Sequence, residues 1–559
     1  MFRKMPKWLA FIILEGWPII VVVLAVIIEL SHIVTSGWAS IYLYNGDSLT
    51  LPFLREALSQ HHQFLWVSSS QLLVFPEGLL YLVSCLIGHS VRASLAINSV
   101  VNVAALYLIF RWLIGLVGNY RLRLKQTFAL GCVLLLVLYM LLERQPLVNM
   151  SSIATLYIFN DYYYGIIVSG GILLCLMLSL KGNVNSLKSL SKQQILLLSL
   201  SVLLAALTTF SNPIFIVQFL APILITLCLV WLLGGIRFKH GLLLAVPLII
   251  GTGIGYLARS PLKKVIGQSL TNHIDVGQIP PTLKLFHQSF RQDLTSKSGL
   301  LELILIVLTN LFCIFYSAWW VYQKTHHKKK NLEYRFLLLS LFGFISALAV
   351  IVFSVAIGSL STRYMLPLVI FPLFSLIPLF IYINKHLYKA MVVTSLVVIV
   401  FVVIYGLFSI NQATKIVSSS NYTYTSCLSR ALDYKAANGV GTYWDVRSLD
   451  LYGLPNEQAV QVTSQFTDFP WQANLGDYAA KNFSFVVVDK NNVTNPTGIT
   501  PNDTFLPSNP ANIYACGMFY VYQYSPGSSG YNTLNSDVHT SYVNELKLRS
   551  MGMLSQQLD

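Results

Sequence analysis

Long runs of apolar side chains, each bounded by polar or charged residues, dominate the first three-quarters of the chain. A bilayer core takes about 20 mostly apolar residues of helix, with a range of roughly 17–25. On that template the pattern predicts spans near 9–34, 93–115, 126–143, 162–180, 194–211, 213–233, 241–258, 299–322, 334–357, 364–383 and 389–410. One further apolar stretch, Gln71 to Gly88, is broken by Pro76-Glu77-Gly78 and reads as a helix lying on the membrane or dipping into it. Beyond residue 410 the pattern changes. Helical spacing over Cys427–Ala437 gives way to short runs at Val440–Trp444, Gln458–Thr463, Phe483–Asp489 and Met518–Tyr524, which read as strands. Asn491–Asn512, rich in Asn, Pro, Thr and Ser, reads as a loop, and the polar C-terminal segment as a helix. The fold class is therefore a polytopic α-helical membrane protein of about 11 transmembrane helices followed by a soluble α/β domain. The expected division is 1–410, with large loops at 35–92 and 259–298, and 411–559.

Charge orients this pattern. Of 37 Lys and Arg and 22 Asp and Glu, residues 1–410 carry a net of +18 and residues 411–559 a net of −3. The basic side chains cluster at Arg3/Lys4/Lys7, Arg121/Arg123/Lys125, Lys181/Lys188/Lys192, Arg237/Lys239, Lys324/Lys328/Lys329/Lys330 and Lys385/Lys389. All six clusters fall on one side only if 71–88 does not span, and cytoplasmic loops are the ones that concentrate Lys and Arg. The expected topology has a cytoplasmic N-terminus, with loops 35–92 and 259–298 and the tail on the outer face. The basic excess thus belongs to membrane orientation, and no nucleic-acid partner is expected. Only 11% of residues are charged, against about 25% in soluble domains.

Five of the seven cysteines lie in or beside apolar runs and read as small core residues. The other two, Cys427 and Cys516, flank expected core elements of the tail and are expected to pair in an oxidising compartment. There is no phosphate-binding Gly-rich loop, no dinucleotide fingerprint, no HExxH and no CxxC pair. His61-His62 and His326-His327 lack ligand partners at helical spacing, so no metal cofactor is expected.

The candidate chemistry lies where charges meet the outer membrane boundary. Asp47 follows the first span within Tyr44-Asn45-Gly46-Asp47-Ser48, and Glu77 lies at the Pro-broken stretch of the same loop. Asn160 and Asp161 stand before the fourth span, followed by Tyr162-Tyr163-Tyr164, and Arg363-Tyr364 opens the tenth. A charge held at the hydrocarbon edge is costly unless it is paired or functional. Taken singly, each has an ordinary reading as a helix cap, a bend residue or a snorkelling anchor.

This arrangement resembles the GT-C glycosyltransferases, polytopic enzymes that use lipid-phosphate-linked sugars. A first span, a large outer loop with an acidic residue at its start, and a soluble outer domain after the last span are their plan. Phe75-Pro76-Glu77-Gly78-Leu79-Leu80-Tyr81 looks like their interfacial helix, and Arg363-Tyr364-Met365-Leu366-Pro367 resembles their Arg-Tyr-x-x-Pro element. The resemblance implies Asp47 as catalytic carboxylate, with Arg363, Tyr364, Asp161, Glu77 and Asn160 binding substrate in one cavity. It implies transfer of a sugar from a polyprenyl-phosphate donor to a glycan, lipid or protein acceptor. Two departures stand out. Ser48 follows Asp47 where many members have a second acid, and the Trp-Trp-Asp acceptor motif of oligosaccharyltransferases is missing, since Trp319-Trp320 is followed by Val321. Both argue against protein N-glycosylation and a required metal. The rival readings are a lipid-glycan flippase, using Glu15, Glu29, Glu302 and a helix broken at Gly251–Gly255, and a non-catalytic membrane protein. Trp444-Asp445, Trp471 and Asp477 are the tail residues suited to an acceptor groove.

Overall fold

The computed structural model describes residues 7–59, 64–118, 121–143, 153–160, 162–180, 190–266, 276–326, 334–358, 362–418, 423–433, 437–453, 457–479, 482–490, 499–517 and 519–554. The chain forms two compact units.

The first unit comprises Met1–Trp38, Leu73–Ala258 and Asn272–Val417. Among the described residues, nine helices are long and apolar enough to cross a bilayer, which makes this a multi-pass membrane protein. Each of the eleven expected spans overlaps an apolar helix, but Tyr164–Ser179 and Ile216–Leu232 are shorter than the other nine, and the last two expected spans are joined by one helix, Leu376–Ser418, with no turn between them. Their starts are set locally. Tyr163 has φ +66°, which ends any helix upstream of Tyr164, and Asn212-Pro213 interrupts the chain before Ile216. Val74–Ile87 is also a short apolar helix, about 21 Å long against a hydrocarbon core of about 30 Å.

Gly251 and Gly255 do not break a helix. Phe238–Leu257 runs through both, and a Cβ at either would sit 2.3 or 2.2 Å from the carbonyl oxygen of Val202 or Ala206. Their small size lets this helix lie against Lys192–Ser211, the small-xxx-small packing used where lipid supplies no hydrophobic drive.

The second unit comprises Ala39–Leu72, Arg259–Thr271 and Ser418–Asp559. Strand β1 (Trp66–Val67) belongs to the loop after the first span. The tail adds β2 (Ala437–Gly441), β3 (Glu457–Gln461), β4 (Ala473–Asn474), β5 (Phe483–Asp489), β6 (Asn512–Cys516) and β7 (Phe519–Gln523). Five of these make one mixed sheet in the order β3-β2-β5-β7-β6. β2 runs parallel to β3 and β5, and β7 runs antiparallel to β5 and β6. β5 is covered on both faces, as its continuous apolar run requires. Val486 and Val488 pack with Leu534 and Val538 of the helix Ser529–Ser550. Phe485 and Val487 pack with Leu428, Val446 and Leu449 of the helices Thr423–Ala431 and Tyr443–Tyr452. Separately, β1 pairs antiparallel with β4 (Trp66 opposite Asn474), tying the first loop into the tail.

Two expectations for the tail are corrected. The run Val440–Trp444 is not one strand. β2 ends at Gly441 and a helix starts at Tyr443, where Thr442 donates its hydroxyl to the carboxylate of Asp445. The stretch read as loop up to Asn512 ends at β6, a strand from Asn512 that pairs with β7. Cys427 and Cys516 are joined in a disulfide with Cα atoms 5.6 Å apart. It ties the helix Thr423–Ala431 to β6, an edge strand of the sheet and not a central one.

Candidate active site

In the second unit the candidate carboxylate is Asp47. It opens the short 3-10 turn Asp47–Leu49, which leads into the helix Thr50–Ser59. Its backbone N–H donates to Oδ1 of Asn45 at 2.9 Å, an Asx-type turn that fixes the start of this element. The side chain is half-buried and accepts the Tyr443 hydroxyl on Oδ1 at 3.1 Å. Gly46 makes that approach possible, because a Cβ there would fall 2.6 Å from the Tyr443 ring. Burial first, and then the charge on Asp47, push the Tyr443 hydroxyl well above its usual range, so it stays protonated and donates.

Behind this pair lies a polar scaffold. Gln472 Oε1 lies 2.7 Å from the Tyr443 hydroxyl and 2.5 Å from that of Thr50. Arg447, one turn after Tyr443, has its guanidinium over the rings of Phe53 (4.0 Å) and Tyr443 (5.0 Å) and donates to the Gln472 carbonyl. Tyr443, Gln472 and Arg447 were missed from the sequence. The available signal was Thr442-x-x-Asp445, a helix-start pattern that places Tyr443 and Arg447 on one helical face. Asp445, expected in a groove, is 2% exposed and accepts the Thr442 hydroxyl; burial pushes its carboxyl up to about 7.

In the first unit Glu77 lies against Gly165, and Arg363 and Tyr364 lie against Tyr163. Glu77 is fully buried against the first turn of the helix Tyr164–Ser179; a Cβ on Gly165 would lie 2.2 Å from its carboxyl carbon. Glu77 belongs to the short apolar helix Val74–Ile87. Burial raises its carboxyl to about 7, partly offset by the backbone N–H groups of Glu77 and Gly165. An acidic group at a helix N-terminus also gains from the helix dipole.

Tyr163 stacks on Tyr364 with centroids 5.6 Å apart and planes 3° from parallel. The Arg363 guanidinium carbon lies 6.0 and 5.7 Å from these two ring centres. Gln218 Nε2 donates to the Tyr364 carbonyl at 3.0 Å, fixing this turn to the start of the Ile216–Leu232 helix. Asn160 is 1% exposed. Asp161 lies outside the described residues. In the same unit an apolar cavity of about 340 Å³ is walled by Phe286, Phe290, Ile306, Phe344, Met365 and Leu368, the last two following Arg363 in the chain.

Glu15 and Glu143 of the bundle have internal partners. Glu15 pairs with Arg111 at 3.2 Å and accepts the Tyr107 hydroxyl at 2.6 Å. Glu143 accepts the backbone N–H groups of Ile153, Ala154 and Thr155 at 2.6–2.7 Å and hydrogen-bonds Glu302. Glu29 is 1% exposed, and no hydrogen bond reaches its carboxyl among the described residues. Among the described residues, no group of three His, Cys, Asp or Glu side chains is placed to hold a metal ion.

No protein-family model matches the chain, and neither does any curated protein sequence. Among solved structures it is similar to the oligosaccharyltransferase of Archaeoglobus fulgidus in the apo form. The identity is 13% and the TM-score 0.42, over 87% of this chain and 70% of that one. The same archaeal enzyme, AglB, in complex with an inhibitory peptide and a dolichol-phosphate, is similar at 12% identity and a TM-score of 0.40, over 85% and 69%. At values this low the likeness assigns no role to any residue, and the chemistry of the site rests on the side chains described above.

Proposed function

We propose that this protein is a GT-C type membrane glycosyltransferase that moves a sugar from a polyprenyl-phosphate donor to an acceptor hydroxyl on the outer face. A sugar on a lipid phosphate already carries an anionic leaving group, so the reaction needs little acid catalysis. What it needs is a base for the acceptor proton and a cation for the departing phosphate. In the proposed step the acceptor oxygen bonds the anomeric carbon from the face opposite the phosphate, and its proton passes to Asp47. The anomeric carbon–oxygen bond breaks with its electrons, releasing polyprenyl phosphate and inverting the configuration. Arg363, with a planar multi-donor head, binds the phosphate. Tyr364, Asn160 and Asp161 orient sugar hydroxyls, and Glu77 holds the first turn of the helix Tyr164–Ser179. The 340 Å³ apolar cavity suits the first isoprene units of the donor.

The observation that carries this reading is the Asp47–Tyr443 pair. A half-buried carboxylate is fixed by a buried phenol, and the helix bearing that phenol comes from a tail far along the chain. A disulfide in the same unit is consistent with an oxidising outer compartment. The test is Asp47→Asn, which keeps size and removes the base. Transfer from a polyprenyl-phosphate sugar is expected to fall by about 10²–10⁴-fold with donor binding little changed. Arg363→Ala is expected to weaken donor binding as well as turnover. Unchanged transfer by the Asp47→Asn protein defeats the proposal.

A further inference from the structure

The second unit holds an open cavity of about 410 Å³ that the transfer step does not use. Its wall joins three distant stretches: Phe53, Glu56 and Trp66 from the first loop, Arg447 and Asp450 with β3, and Asn474, Asp477 and Tyr478. We propose that this cavity is a glycan-binding site for a neutral, hydroxyl-rich sugar of one or two residues.

The polar wall is fixed before any ligand arrives. Asp477 Oδ1 accepts from Asn474 Nδ2 at 2.9 Å, and Asn474 Oδ1 in turn accepts the Leu65 N–H at 2.7 Å. Asp450 Oδ1 accepts the Ala459 N–H at 3.0 Å. Arg447 is clamped over the Phe53 ring. Pre-organised polar groups set into an aromatic frame are what orient a small ligand.

The spacing of those groups selects the ligand class. The carboxylates do not converge as metal ligands do: among the described residues no three acidic side chains are placed to hold an ion. The Arg447 guanidinium offsets one of the three carboxylates in the wall, and burial pushes the Asp450 carboxyl well above its usual range, toward its neutral form, so the remaining charge is small and a neutral ligand fits. Dispersed acceptors beside a fixed donor match a ring of hydroxyls, each of which can donate and accept. Trp66 and Tyr478 add apolar surface of the kind a sugar's C–H face packs on. The site does not depend on the role proposed for Asp47, because it is read as equilibrium binding without donor.

Saturation-transfer NMR on the full chain in nanodiscs tests this with a panel of neutral mono- and disaccharides. At least one is expected to bind. Affinity is expected to fall about tenfold or more in Glu56→Gln and in Asp477→Asn, with Asp537→Asn, at an exposed tail position, unchanged. An intact Cys427–Cys516 disulfide and an unshifted thermal transition show that each variant is folded; if both variants fail that control, competition in the wild-type protein decides. There, a neutral sugar must displace itself, and neither Ca²⁺ nor a lysine-containing peptide may displace it. No sugar binding, equal binding by all variants, or displacement by the cation or the peptide overturns the proposal.

Discussion

Asp47 and Glu77 both lie in the loop after the first span, and the sequence gives them equal standing as boundary acids. Their surroundings differ. Asp47 is half-buried, in a polar network of Tyr443, Asn45 and Gln472, and keeps a route to solvent. Glu77 is sealed against the backbone of Gly165, and burial lifts its carboxyl to about 7. A carboxylate that takes a proton from an acceptor must reach it, whereas one that holds a helix end must be covered. On the function proposed above, this difference suits Asp47 to the proton transfer and Glu77 to holding the helix end.

The largest expected effect that sharpens this contrast is on stability against pH. Unfolded, the Glu77 carboxyl titrates near 4.5, and folded near 7. Between those values the folded state holds more protons, so stability falls as pH rises. The contribution is fully present below pH 4.5 and is lost as pH rises through 7; the shift corresponds to about 3 kcal/mol. Thermal unfolding in detergent from pH 4.5 to 8 is expected to show this slope and to lose it in Glu77→Gln. A wild-type curve no steeper than that of the variant would remove the architectural role.

Next in size is Gly165→Ala. The added methyl must displace the buried Glu77 carboxyl, and overpacking of this kind costs about 1–3 kcal/mol. Gly253, with nothing within 4 Å of an added Cβ, is the matched control and should change little on substitution by Ala. Equal transitions for both variants would mean that Glu77 is not packed as described.

The smallest effect is at the other acid. Tyr443→Phe removes one hydrogen bond to Asp47, worth about 1 kcal/mol, so transfer should drop several-fold with little loss of stability. Because Tyr443 acts through Asp47, adding this change to Asp47→Asn should cost almost nothing more. Additive losses in the double variant would show that Tyr443 has a separate task.

Much of the bundle was legible because a bilayer imposes one rule, about 20 apolar residues per crossing, and each expected span overlaps an apolar helix, though the last two share Leu376–Ser418. Less legible was how those helices face one another. Tyr164–Ser179 is almost wholly buried and Val392–Ser418 largely exposed, yet both are strongly apolar, since lipid and protein interior favour the same side chains. Glycines carry the missing information: Gly170 and Gly171 sit where a Cβ would meet Phe219 and Ile109 at 2.6 and 2.7 Å. In the tail, the apolar run at Phe483–Asp489 announced a strand buried on both faces. Val440–Trp444 misled because its apolar residues straddle Thr442, a helix start.

By itself, then, the sequence determined the membrane class, the places of the apolar helices, the α/β tail and the pairing of Cys427 with Cys516. Hydropathy, period and cysteine count are local properties, and local properties are written in order along the chain. Only the tertiary structure decided that residues 39–72 fold with 418–559, that Tyr443 holds Asp47, and that Glu77 closes against Gly165. Each of those joins residues tens to hundreds of positions apart, and such pairings are chosen by which surfaces exclude water and satisfy buried polar groups together.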